Sequence, residues 1–294
     1  MSLVEQAIAR MRNQAKAAGS KIAQTGSKSA APPTVVEQVS GPAKVAKRII
    51  LDMAALRAGG YLPEEAKDRQ FSDHYRRIKR PLIDKALLGV AAAGEPRVIM
   101  ITSALPGDGK TFTSINLALN MALERDISVL LVDCDVAKRH ISQIMGLQED
   151  SGLLDALVDD SVDAESLVVQ TNLRGLSILP AGKRVESTAE LLSSNRMRQI
   201  ASQLCAHNPR RIMLLDSPPL LITNEGRALV KIARQVVVVV RAGQTPRLAV
   251  QEAVALFDET QAGGIVLNQV AVNDRGDYYG YGAYGPYGTN GDDA

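Results

Sequence analysis

Cysteine is scarce in this 294-residue chain: Cys134 and Cys205 stand far apart and form no C-x-x-C pair. That pattern argues against a structural zinc or an iron–sulfur cluster and fits a reducing compartment. An excess of one charge is lacking as well. The 34 Lys and Arg against 32 Asp and Glu leave a formal +2, so nothing global demands nucleic acid as a partner. No apolar run approaches the roughly 20 residues of a membrane span, and the first residues lack a signal peptide's apolar core. The expectation is a soluble, cytoplasmic chain holding one sizeable α/β domain plus extra segments, since domains usually run ~100–200 residues.

What is present is concentrated between Arg97 and Asn116, RVIMITSALPGDGKTFTSIN. Val98 to Ile101 form a short β-rich run of the kind buried in a parallel sheet, and from Thr111 on Ile115, Leu119 and Ala122 recur at helical spacing. Between them Gly107 and Gly109 let the backbone bend until several N–H groups point inward, while the helix that follows adds its positive N-terminal end. This is an anion cradle. Lys110 has the reach to meet β- and γ-phosphates, and the Thr111 hydroxyl is placed to ligate Mg²⁺. The first position of the G-x-x-x-x-G-K-[ST] pattern is Ala104 instead of glycine.

Residues 1–17 read as an amphipathic helix with Ser2 as N-cap, suited to a partner, an anionic membrane surface or its own domain. Residues 18–46, rich in Ala, Gly, Ser, Pro and Lys, read as a flexible linker. A folded domain is expected over 47–272. Within it Asp73, Arg76 and Lys79 fall three apart on one helix face, a carboxylate and two cations able to pair with a neighbouring subunit. Ile127 to Asp135 is a buried-type strand ending in Asp133 and Asp135, and Arg211 to Asp216 is another acidic strand end. Carboxylates there face the crevice where open α/β sheets bind ligands, and an aspartate can hold the magnesium shell beside a γ-phosphate. Strands are also expected over 176–179, 236–240 and 264–268, alternating with helices over 110–123, 186–206, 224–233 and 246–261, which implies parallel βαβ units.

The last stretch, 273–294, is different. Five of the seven tyrosines, Tyr278, Tyr279, Tyr281, Tyr284 and Tyr287, stand there among glycines, with four acids and one arginine. Glycine and proline between them oppose a regular element, so a disordered tail with exposed rings is expected. Base stacking would call for more basic charge. A set of phosphate acceptors accounts for the cluster.

In combination the motifs resemble the bacterial tyrosine kinases (BY-kinases) that control exopolysaccharide synthesis, in particular the branch found with exosortase-associated polysaccharide loci. The matching stretches are SALPGDGKT (103–111) as Walker A, LLVDCD (130–135) as the family's second acidic motif, LLDSPP (214–219) as Walker B, LSILPAGKRVESTAELL (176–192) and the tyrosine cluster. The resemblance implies a P-loop NTPase fold: a mostly parallel sheet with helices on both faces, a helical N-terminal extension and a tyrosine-rich tail. It also implies an ATP-dependent protein-tyrosine autokinase. Catalysis would fall to Lys110, Asp133, Asp135 and Asp216, with Asp133 helping to activate the incoming hydroxyl. ATP would be bound by Leu105, Pro106, Gly107, Asp108, Gly109, Lys110, Thr111 and Phe112, and by Asn268 at the adenine, with Mg²⁺ on Thr111, Asp135 and Asp216. The five tail tyrosines would accept phosphate in trans. Asp73, Arg76 and Lys79 resemble the family's E-x-x-R-x-x-R oligomerisation motif, which implies a homo-oligomer, a ring in the family. The family's D-x-D-x-R pattern meets Ala137 at its last position, with Lys138 and Arg139 next to it. The implied partners are a separate transmembrane polysaccharide co-polymerase as activator and a tyrosine phosphatase, with the chain held peripherally at the inner membrane face. Two rival readings differ in chemistry. A ParA/MinD-like positioning ATPase would carry an extra lysine where Leu105 stands and no tyrosine tail, and a non-catalytic ATP-binding regulator would leave its own mass unchanged by Mg·ATP.

Overall fold

The computed structural model describes residues 47–88 and 96–270; the expected N-terminal helix, the linker and the tyrosine cluster lie outside the described residues. In chain order the elements are β1 (Arg48–Ile49), α1 (Met53–Ala58), α2 (Asp68–Leu88), β2 (Val98–Ser103), α3 (Lys110–Met121), β3 (Ser128–Asp133), α4 (His140–Ile144), α5 (Leu153–Val158), β4 (Val169–Thr171), β5 (Leu176–Leu179), α6 (Thr188–Ser193), α7 (Asn195–His207), β6 (Arg211–Asp216), α8 (Asn224–Val230), β7 (Gln235–Arg241), α9 (Arg247–Val254) and β8 (Ala262–Asn268). Among the described residues eight strands form one sheet in the order β1-β4-β5-β3-β6-β2-β7-β8. Every pairing is parallel except β4 with β5.

Near-continuous Val, Ile and Leu runs put β2, β3, β6 and β7 in the middle, because only a strand covered on both faces can bury both sets of alternate side chains. Ile99, Ile101, Val129, Leu131, Ile212 and Leu214 face a core closed by α1 to α4. Val98, Met100, Leu130, Val132, Met213 and Leu215 face the opposite core, closed by α5 to α9. Each such side chain taken out of water contributes roughly 1.5–3 kcal/mol. At the edge this ends: on β8, Ile265 and Leu267 remain exposed.

The helix expected over 186–206 is two helices. Ser194 adopts an extended backbone and its hydroxyl accepts the N–H of Met197, so it terminates α6 and caps α7. Helices α4 and α5 and the antiparallel strand β4 are additions to the expected alternation. Among the described residues no helix is long and apolar enough to cross a membrane.

Candidate active site

The loop between β2 and α3 turns on two glycines in the left-handed region, Gly107 at φ 87° and Gly109 at φ 92°. At Gly109 the constraint is double. A Cβ would stand 1.9 Å from Nδ2 of Asn268, which donates to the Asp108 carbonyl at 3.0 Å. The last strand is thereby stitched to the phosphate-type loop, with the predicted adenine residue lying across it. Ala104, the departure from the glycine pattern, is fully buried. Leu105 is partly buried against the core, while Pro106 and Gly107 are exposed. Phe112 packs edge-on against Phe71 of α2, ring centroids 6.2 Å apart.

Register brings the acidic ends together. Asp133 of β3 is the direct cross-strand partner of Asp216 of β6, and both are 0% exposed. The two oxygens of Asp216 accept from the first turn of α3, Oδ2 from Thr111 Oγ1 at 2.8 Å and Oδ1 from Ser114 Oγ at 2.9 Å. Asp133 is held on one side only. Ser142 donates both its backbone N–H (2.8 Å) and its hydroxyl (2.7 Å) to Oδ2, and Oδ1 is buried with no hydrogen-bond partner among the described residues. An orphaned buried carboxylate oxygen costs free energy, and such a cost is usual where a ligand or a reacting proton is to be met.

The charges follow from this crowding. Burial pushes the Asp133 carboxyl up to about 6 against the opposing pull of the Ser142 hydrogen bonds. Burial, then the neighbouring Asp133, pushes Asp216 up to about 7. Burial lowers the Lys110 ammonium, offset by the attraction of Asp216 and Asp135. Asp135, 3% exposed, completes the group, and its carbonyl accepts the N–H of Lys138 and of Arg139. Among the described residues no three His, Cys, Asp or Glu side chains converge as a closed metal cage. The donor set of Thr111 hydroxyl, Asp135 and Asp216 is all oxygen and incomplete, which suits a hard divalent cation whose remaining ligands are water and phosphate.

Sequence reading missed three supports. Ser142 and Ser114 orient the two carboxylates, and Thr245, just after β7, donates to Asp108 Oδ1 at 2.7 Å. None has a local sequence signal, since their partners are 9, 102 and 137 positions away. Of the helix-face triplet, Asp73 and Arg76 form an exposed pair at 3.0 Å. Lys79 lies on the side of α2 that turns toward Glu124, as Arg76 does, but it is buried: it donates to the Asn120 carbonyl at 2.7 Å and pairs with Glu124 at 2.8 Å. A cation at the C-terminal end of α3 is favoured by that helix's dipole, which ties Lys79 to its own chain.

A sequence model of the AAA domain family matches residues 96–262, more than half of the chain. Tyrosine-protein kinase YwqD of Bacillus subtilis is 32% identical over 187 residues, which cover 63% of this chain and 77% of that protein. The succinoglycan biosynthesis transport protein ExoP of Rhizobium meliloti is 29% identical over 222 residues, 73% of this chain and 27% of the much longer relative. The crystal structure of the VpsO kinase domain superposes with a TM-score of 0.52 at 29% identity, covering 67% of this chain and 98% of that one.

Proposed function

The chain belongs to the bacterial tyrosine-protein kinase family, of the AAA domain class, and on that footing we propose that it transfers the γ-phosphoryl group of ATP to tyrosine hydroxyls, first of all those of Tyr278, Tyr279, Tyr281, Tyr284 and Tyr287 on neighbouring copies. The observation that carries this reading is the one-sided support of Asp133: Oδ2 fixed by Ser142, Oδ1 unpartnered, beside an Asp216 already tied to Thr111.

In this reading the loop amides and Lys110 bind the phosphates, Asn268 lies at the adenine end, and Thr111, Asp135 and Asp216 hold Mg²⁺. When bound, the cation neutralises charge that builds up on the phosphate oxygens. The tyrosine oxygen forms its bond to the γ-phosphorus as the bond from that phosphorus to the β–γ bridging oxygen breaks, and the electron pair leaves with ADP. The phenolic proton passes to Asp133 Oδ1, whose raised affinity for protons suits a base at neutral pH. Each phosphotyrosine adds about −1.5 to −2 charges. Repulsion between tails then loosens the oligomer and gives a cycle of assembly and release. The likeness to ExoP supports a role in exopolysaccharide synthesis. There the partners would be a transmembrane co-polymerase that activates the chain and holds it at the inner membrane face, and a phosphatase that resets it.

Intact-mass spectrometry of protein purified from a kinase-free host tests the reading. The expected result is a ladder of additions of about 80 Da, one per phosphoryl group, confined to residues 278–287 and abolished by Lys110→Met. Tyr75 is buried and should stay unmodified. Phosphotyrosine persisting on the Lys110→Met protein overturns the assignment.

A further inference from the structure

The strand order lays the candidate site out as a line. Along the carboxyl edge β8 carries Asn268, β2 the glycine loop, β6 Asp216, and β3 Asp133 and Asp135, with β5 next beyond them. Under the proposed kinase reading, on which this inference rests, the nucleotide takes the part of that line from β8 to β6. The acceptor must then come from the β3 and β5 side. There the chain has a cavity of about 540 Å³, lined among others by Val136, Ala137, Arg184, Val185, Glu186 and Glu225. That volume is within the range of ligand-binding clefts, roughly 300–1,000 Å³.

Val136 and Ala137 directly follow Asp135, so one wall of the cavity is continuous with the catalytic aspartates. Its opposite wall is the loop after β5, braced to the same network. The Ala181 N–H donates to Ser142 Oγ at 3.0 Å, the hydroxyl that in turn donates to Asp133. The Lys183 N–H donates to Asp155 Oδ2, and the Val185 carbonyl accepts the Thr188 hydroxyl at 2.7 Å. Ser142 thus links the Asp133 carboxylate to the loop that three residues later supplies Arg184 and Val185 to the cavity.

We infer that this cavity is the acceptor subsite, receiving a tyrosine ring between Ala137 and Val185 with its hydroxyl turned toward Asp133, while Arg184 pairs with an acid flanking the tyrosine. Apolar Val136, Ala137 and Val185 suit the face of a ring, and Ala137 presents only a methyl group where a longer side chain would fill the space. Arg184 is exposed and has no ion-pair partner among the described residues. The tail offers it Asp277, immediately before Tyr278, and Asp274. Glu186 and Glu225 at the rim are indifferent to a neutral phenol and repel the phosphotyrosine made from it, so product leaves.

The test uses full chains in two roles. The enzyme copy has its five tail tyrosines changed to phenylalanine, and the acceptor copy is dephosphorylated Lys110→Met protein. Ala137→Trp in the enzyme should lower kcat/KM for the acceptor by ~10-fold or more while the Kd for Mg·ADP stays within about twofold. Arg184→Glu should raise the acceptor KM by ~5-fold, and an acceptor carrying Asp274→Lys and Asp277→Lys should restore it. Unchanged transfer by both variants, or an Arg184→Glu defect that the charge-reversed acceptor does not repair, overturns the subsite. If Ala137→Trp loses ADP binding too, the Arg184→Glu pair decides alone. No transfer by the unsubstituted enzyme is a different failure, that of the kinase reading, and the subsite falls with it.

Discussion

Strand β6 carries a buried charge at each end, and the two are treated in opposite ways. At its start Arg211, 5% exposed, donates to both oxygens of Glu165, to Oε1 at 2.8 Å, and to the Leu204 carbonyl. Beside it Arg97, leading into β2, donates to the carbonyls of Arg211, Cys205 and Asn208. Both cations are buried and well supplied with acceptors. At the other end Asp216 stands against Asp133, like charge against like, with one oxygen of the pair unpartnered. Strain is concentrated where a nucleotide and a cation would relieve it, and the far end of the same strand is closed. The amino edge of the sheet is built for stability and the carboxyl edge for binding.

The largest effect that would break this contrast lies at the closed end. Arg211→Met leaves the Leu204 carbonyl without this donor and the half-buried Glu165 carboxylate with only the His207 ring 3.6 Å away, a loss of about 3 kcal/mol. Denaturant unfolding should show that loss, and Arg211→Met with Glu165→Leu should recover most of it. A single substitution costing no more than an ordinary surface change would put the closed end on the same footing as the open one.

At the open end the sign reverses. Asp216 has its proton affinity raised in the fold, to about 7, by burial first and by Asp133 second. Its folded state holds a proton that the unfolded chain releases near the ordinary carboxylate value of about 3.9. The contribution is therefore present at low pH and is lost as pH rises from about 4 through about 7. Asp216→Asn should abolish phosphoryl transfer and yet raise the melting temperature of the nucleotide-free protein at pH 8. With a gain on the order of 2 kcal/mol this is roughly 5 °C, shrinking toward pH 5. A variant that melts lower than the parent at pH 8 would falsify the claim of stored repulsion.

How much of this was legible in the sequence follows from the range of each interaction. The loop, the two acidic strand ends and the alternation of strands with helices are local patterns, and the structure places Lys110, Thr111, Asp133, Asp135 and Asp216 in one cluster at the carboxyl edge. The strand-end rule puts Asp133, Asp135 and Asp216 at the crevice without any tertiary contact, while the separate roles of Asp133 and Asp135 are what the family resemblance implies. Ser142, Ser114 and Thr245 were not legible, because a serine or threonine acquires a role only from the carboxylate that folding brings to it. The partners of Lys79 are hidden for the same reason: helical spacing says which residues share a face, not that the face lies over Glu124 and Asn120. The break at Ser194 was missed because apolar residues continue at helical spacing on both sides of it, while the capping signal is one hydroxyl.

The smallest effect tests how the two edges differ in detail. Asp108 is a buried carboxylate inside an anion-binding loop, a placement that by charge alone opposes phosphate. It is tolerated because its Oδ1 accepts the Thr245 hydroxyl at 2.7 Å, while Thr245 Oγ1 itself accepts the Arg241 N–H at 2.9 Å, so β7 holds the loop in shape. Thr245→Val keeps the side-chain volume and removes this bridge, leaving the carboxylate short of one donor, a loss of about 1 kcal/mol. Mg·ADP affinity measured by titration calorimetry should fall by roughly fivefold. Thr245→Ser should restore it, since only the hydroxyl is needed. Equal affinity in the valine and serine variants would mean that the loop holds its shape without help from β7, and that Asp108 belongs with the satisfied charges of the closed edge.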